Sequence, residues 1–142
     1  MKASARNQFT GTVTEVRIGV VNAEVHIGLK GGETIVAAIT RESAETLAIK
    51  TDLEVIALVK APQIIIITDF GGYRLSARNQ LQGMVTQLKS GAVSTEVVIA
   101  LKGGEQVAAT VTNDSVEALG LRQGQQATVV FKAAAVILAV AD

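Results

Sequence analysis

Polar and apolar residues alternate along much of this chain with a period of two. Over residues 10–16, β-branched side chains alternate with others, and over residues 21–29 the apolar Val25, Ile27 and Leu29 fall on every second position. Such spacing buries one face of a strand and leaves the other in water. Lys30-Gly31-Gly32 supplies a hairpin turn, because glycine adopts positive φ without a steric cost, and residues 34–39 read as the returning strand. The period then changes. Residues 40–49 predict a short helix with Thr40 as its N-cap and Leu47 facing inward. Residues 55–59 and 64–67 predict two more strands. Five strands and one short helix in about 65 residues predict a small all-β Greek-key barrel of OB type.

The same pattern then starts again. Ser4-Ala5-Arg6-Asn7-Gln8 recurs as Ser76-Ala77-Arg78-Asn79-Gln80, and at the same offset Leu29-Lys30-Gly31-Gly32-Glu33 recurs as Leu101-Lys102-Gly103-Gly104-Glu105. Glu24-Val25 returns as Glu96-Val97, Thr40 as Thr112, Ser43 as Ser115, and Lys60-Ala61 as Lys132-Ala133. The register holds without a gap until the last few residues, with roughly two positions in five identical. This is a duplication. The expected organisation is a first module at residues 1–68, a linker at 69–75 with a flexible Gly71-Gly72 joint, and a second module at 76–142.

Composition narrows the function. Lys plus Arg is 13 and Asp plus Glu is 13, so the chain lacks the basic surplus of most nucleic-acid binders. Apolar residues make up 49% but aromatics only 3%, so the core must be aliphatic. A single-stranded nucleic-acid binder built on such a barrel needs stacking aromatics. Phe9, Phe70, Phe131 and Tyr73 are few, and only Phe9 and Phe131 lie in expected strands. The absence of cysteine rules out disulfides, thiolate nucleophiles and cysteine-held metals. The polar first residues and the short apolar runs predict neither a signal peptide nor a membrane span, hence a cytoplasmic protein.

Catalytic motifs are missing: no phosphate-binding glycine loop, no dinucleotide fingerprint and no nucleophile elbow. The one histidine, His26, has Val98 as its counterpart, so it reads as a tolerated strand residue. What both copies keep is a set of donors. Ser4 and Arg6 precede the first strand, Thr40 and Ser43 stand at the helix start, and Lys60 ends an apolar strand. Ser76, Arg78, Thr112, Ser115 and Lys132 repeat them. Taken singly, the hydroxyls read as helix caps and the arginines as surface charges. Taken as a repeated set, with exposed N–H groups at a helix start, they form an oxyanion site. A site lined by donors alone would also disfavour protonated anions such as hydrogen phosphate.

The combination of Ser-Ala-Arg-Asn-Gln, Gly-x-Val-x-x-Glu-Val (residues 19–25 and 91–97), Thr-x-x-Ser and Lys-Ala resembles the molbindin family of molybdate-binding Mop, or TOBE, modules, twice over. The resemblance implies a tandem two-module protein that binds molybdate or tungstate as intact oxyanions, with no cofactor, no directly bound metal and no catalysis. It implies a homotrimer with sites between modules of different subunits. One half-site would be Ser4, Ala5 (through its N–H) and Arg6, repeated as Ser76, Ala77 and Arg78. The other would be Thr40, Ser43 and Lys60, repeated as Thr112, Ser115 and Lys132. Weaker candidates near a three-fold axis are Val20, Val21 and Asn22, with Ala92, Val93 and Ser94. The second copy departs from the family pattern in having Lys132-Ala133-Ala134 for Lys60-Ala61-Pro62. With no helix-turn-helix or ATPase segment in the chain, the expectation is a binding module alone, serving intracellular storage, buffering or homeostasis without nucleic-acid or membrane partners. A molybdate-sensing adaptor for a partner protein is the alternative.

Overall fold

The alternation becomes strand β1 (Asn7–Ile18), in which Asn7, Phe9, Gly11 and Val13 point inward while Gln8, Thr10, Thr12 and Thr14 face water. This computed structural model describes residues 1–142. After β1 come β2 (Asn22–Leu29), β3 (Thr34–Thr40), helix α1 (Arg41–Thr46), β4 (Glu54–Val59) and β5 (Ile65–Ile67). The second copy follows the same order: β6 (Asn79–Ser90), β7 (Ser94–Leu101), β8 (Gln106–Thr112), α2 (Asn113–Leu119), β9 (Gln126–Phe131) and β10 (Ile137–Ala139). The structure is mostly strand with two short helices, as the periodicity predicts. Helix α1 is shorter than expected. Its last turn is closed at Leu47, and Ala48 then takes a positive φ of 53° that a continuing helix does not allow.

One long strand organises each curled sheet. β1 pairs with β4 from Asn7↔Val59 to Thr12↔Glu54, and with β2 from Gly11↔Leu29 to Ile18↔Ala23. To serve both neighbours it must bend, and a bulge between Val13 and Glu15 supplies the bend. At Gly11 the approach is so close that a Cβ would lie 2.6 Å from Ile27 Cγ2 and 2.7 Å from the Gly28 carbonyl oxygen. Only glycine fits. Gly83 and a bulge between Val85 and Gln87 repeat the arrangement in β6.

The repeats and the sheets do not coincide. The sheets run β10-β4-β1-β2-β3 and β5-β9-β6-β7-β8, so each copy lends its last strand to the other. Ile137, Leu138 and Ala139 pair with Leu58, Ala57 and Ile56, while Ile65, Ile66 and Ile67 pair with Val130, Val129 and Thr128. Repeat periodicity could not reveal this, because β5 and β10 occupy equivalent positions and either sheet accepts either strand. A single apolar core of 28 buried residues therefore draws on both copies.

The exchange is testable. A chain ending at Val136 should lose backbone hydrogen-exchange protection in β4, at residues 54–59, far more than in β9. Protection lost first in β9 would show that β10 stays with its own repeat.

Candidate functional site

Within one copy, the proposed donors stand at opposite ends of β1. Asn7 lies opposite Val59, which puts Arg6 and Lys60 together at the start of the strand. Ile18 lies opposite Ala23 and Asn22 opposite Thr40, which puts Thr40 and Ser43 at the far end. A strand rises about 3.3 Å per residue, so twelve residues separate the two ends by far more than a small anion spans. The expected grouping of Lys60 with Thr40 and Ser43 is thus not what the structure brings together. Each lysine joins the serine–arginine half, because β4 ends where β1 begins.

The other half comes from the other copy. Arg6 Nη2 donates to Oε1 of Glu96 on β7 at 2.8 Å, and Nη1 lies in ion-pair contact with Oε2 at 2.7 Å. Glu96 lies opposite Thr110 on β8, one two-residue step from the Ser94↔Thr112 pair where α2 begins. Arg78 pairs through Nη1 with Glu24 Oε1, and Glu24 is one step from Asn22↔Thr40. An open cavity is lined by Asn22, Ala23, Glu24 and Ala38 of the first copy with Arg78 and Ala133 of the second. The turn at Ala133–Ala135 packs on β3 and that at Ala61–Gln63 on β8, carrying Lys132 and Lys60 to the same junctions. Both ammonium groups are exposed and enter no ion pair.

Buried asparagines set this docking. The Asn79 carboxamide accepts from the Val36 N–H at 2.7 Å and donates to the Val36 carbonyl at 2.8 Å. Asn7 does the same to Ala108, with both bonds at 2.8 Å. Each side chain imitates a strand neighbour along the free edge of β3 or β8, one residue after the arginine it positions. The two glycine turns also meet. Glu33 accepts from the Gly103 N–H at 2.9 Å and Glu105 from the Gly31 N–H at 3.1 Å, and a Cβ on Gly31 would lie 2.4 Å from the Gly103 carbonyl oxygen.

At the helix starts, both readings of the hydroxyls hold at once. Thr40 Oγ1 accepts from the Ser43 N–H at 3.0 Å and donates to Ser43 Oγ at 2.8 Å, leaving the Ser43 proton free to donate outward. Thr112 and Ser115 repeat the geometry. The expected supply of free N–H groups is smaller than anticipated, since Arg41 N–H donates to Val21 and Asn113 N–H to Val93. A second correction concerns the lining. Glu24 and Glu96 stand among the donors, so the junctions are not built from donors alone. Their recurrence in the repeat was the available signal, but a carboxylate is not what a search for anion ligands looks for. Asn7 and Asn79 were missed as positioning residues because a buried polar strand residue is indistinguishable from an exposed one in sequence. The turn residues Val20, Val21, Asn22, Ala92 and Val93 are exposed and Ser94 half-buried, at the tips joining β1 to β2 and β6 to β7. Phe9 and Phe131 lie in the core, where they cannot stack on bases.

The TOBE domain model matches residues 3–66 and again 75–138. The chain belongs to the TOBE family, with two such domains in tandem. Among relatives of this TOBE pair, the molybdenum transport protein ModE of Herbaspirillum seropedicae is 45% identical over 140 residues, and the molybdenum-pterin-binding protein MopA of Rhodobacter capsulatus 40% over 139. The DNA-binding transcriptional dual regulator ModE of Escherichia coli is 38% identical over 140 residues. The match covers 98–99% of this chain and 52% of each of these relatives, so the chain spans about half their length. The crystal structure of the cytoplasmic molybdate-binding protein ModG with molybdate bound superimposes with a TM-score of 0.97 at 50% identity, covering 99% of this chain and 100% of that one.

Replacing Asn79 with Ala leaves the buried Val36 N–H and carbonyl unpaired and should destabilise the protein by roughly 2–4 kcal/mol. Urea denaturation measures this; a change within error would remove the asparagine from the docking account.

Proposed function

We propose that this TOBE pair binds molybdate and tungstate as intact oxyanions, reversibly and without turnover, at junctions between repeats and between subunits. The observation that carries this is the crossed placement of the arginines. Each is delivered by its own repeat to the threonine–serine end of the other, with a lysine beside it. Guanidinium and ammonium groups offset the dianion's charge, while Ser4, Ser43, Ser76, Ser115 and the Ala5 and Ala77 N–H groups are donors for its oxygens. The likeness to molybdate-bound ModG over the whole chain supports the ligand.

Assembly into a trimer fits the same reading. Val20 is 89% exposed, Val93 78% and Val21 70%, and apolar turn tips of this kind gain by burial against further copies. Sites shared between subunits would make the anion stabilise the assembly by mass action. The role we assign is cytoplasmic storage or buffering of the anion. No helix is long and apolar enough to cross a membrane. Several relatives are named as regulators, which favours molybdate sensing as the second reading.

Titration calorimetry of anion-free protein should show tight binding of molybdate and tungstate, with sulfate and phosphate silent. Arg6→Ala combined with Arg78→Ala should weaken molybdate binding by about a hundredfold or more. Unchanged affinity in that double variant would refute the site.

A further inference from the structure

Glu24 and Glu96 are the two carboxylates that the donor set does not account for. Both are more buried than the arginines they meet: Glu96 and Glu24 side chains are 18% and 22% exposed, Arg6 and Arg78 57% and 53%. Each carboxylate occupies a guanidinium that the reading above assigns to the oxyanion. An oxyanion arriving beside an unmoved carboxylate meets a like charge in a partly buried place, where Coulomb forces are weakly screened. The fork of a guanidinium fits a carboxylate and a tetrahedral oxyanion in the same way. The two anions therefore compete.

The two junctions do not hold their arginines alike. Glu96 grips Arg6 through both oxygens, at 2.7 and 2.8 Å, and pairs with no other cation. Glu24 meets Arg78 Nη1 through Oε1, and it also faces Arg17 Nη1 at 3.7 Å and His26 Nε2 at 3.6 Å. At the matching positions of the second copy stand Lys89, which forms no ion pair, and Val98, whose side chain has no polar atom. The carboxylate that holds Arg78 is divided among neighbours; the one that holds Arg6 is exclusive.

Resting on the assignment of Arg6 and Arg78 as oxyanion ligands, we propose that Glu24 and Glu96 are resident anions that hold these arginines and are displaced by the oxyanion, and that their unequal grip makes the Arg78 junction the tighter of the two. The displacement also selects by charge. A dianion outcompetes a single carboxylate for the guanidinium, whereas a tetrahedral monoanion of the same shape, such as perrhenate, gains too little. Neutral glutamine in place of the carboxylate removes that barrier.

The test isolates each junction by removing the other's arginine, and reads molybdate affinity by calorimetry. Arg6→Ala, which leaves the Arg78 junction, should bind more tightly than Arg78→Ala. Adding Glu96→Gln to Arg78→Ala should tighten binding about tenfold, and adding Glu24→Gln to Arg6→Ala should tighten it by a smaller factor. Glu24→Gln with Glu96→Gln in the otherwise native chain should acquire perrhenate binding. Circular dichroism and gel filtration establish that each variant is folded and assembled. Should Glu96→Gln not fold, Glu96→Asp, whose shorter arm cannot keep the fork, should tighten binding in the same direction. Weaker or unchanged molybdate binding in the glutamine variants, with affinity still lost in the arginine double variant, would overturn the resident-anion role and leave the site standing. Equal affinities of Arg6→Ala and Arg78→Ala would overturn the ranking of the junctions. Native affinity in the arginine double variant would instead overturn the site assignment itself.

Discussion

β5 lies against β9 and β10 against β4, so neither five-stranded sheet is complete without a strand from the other repeat. The consequence reaches the surface chemistry. The connections that carry β5 and β10 across also carry Lys60-Ala61 to β8 and Lys132-Ala133 to β3, and the duplicated Ser-Ala-Arg segments run into the same seams. A strand edge left open by β3 or β8 would invite pairing with another chain. Here the Asn79 and Asn7 carboxamides occupy it at Val36 and Ala108, with geometry that leaves no buried backbone group unpaired there.

The seam joins groups that one copy keeps apart. The arginine and the hydroxyl groups lie at opposite ends of one long strand, too far apart within a single copy to meet one small anion. Docking the two copies brings the arginine of each towards the threonine–serine end of the other. The same symmetry makes every cross-junction contact reciprocal: Arg6 with Glu96 and Arg78 with Glu24, Glu33 with Gly103 and Glu105 with Gly31. Where the copies have drifted apart, as at Arg17 and Lys89 or His26 and Val98, reciprocity fails and the junctions acquire different electrostatics.

Charge balance across the seam follows from the same contacts. Arg6 stands beside Lys60 and Arg78 beside Lys132, and such neighbours repel in a partly buried seam. The mostly buried carboxylates of β2 and β7 offset the arginines without filling the cavity.

Much of this was legible in the chain itself. Period-two alternation placed β1, β2, β3 and β4, the glycine turn and the Thr40 cap, because those features depend on neighbours in sequence and on burial of one face. The gap-free repeat and the Ser-Ala-Arg, Thr-x-x-Ser and Lys-Ala motifs identified the donors. Which donors meet was not legible. Strand exchange swaps equivalent partners, so it leaves no trace in hydrophobic pattern; the placement of Lys60 beside Arg6 depends on register across β1 and β4; and the burial of Asn7 and Glu96 depends on the other repeat being docked. The sequence by itself determined two like barrels and their chemistry, since local pattern and composition suffice for both. Only the tertiary structure decided that the arginine of each copy meets the glutamate of the other, because a contact between residues ninety positions apart is a property of packing alone.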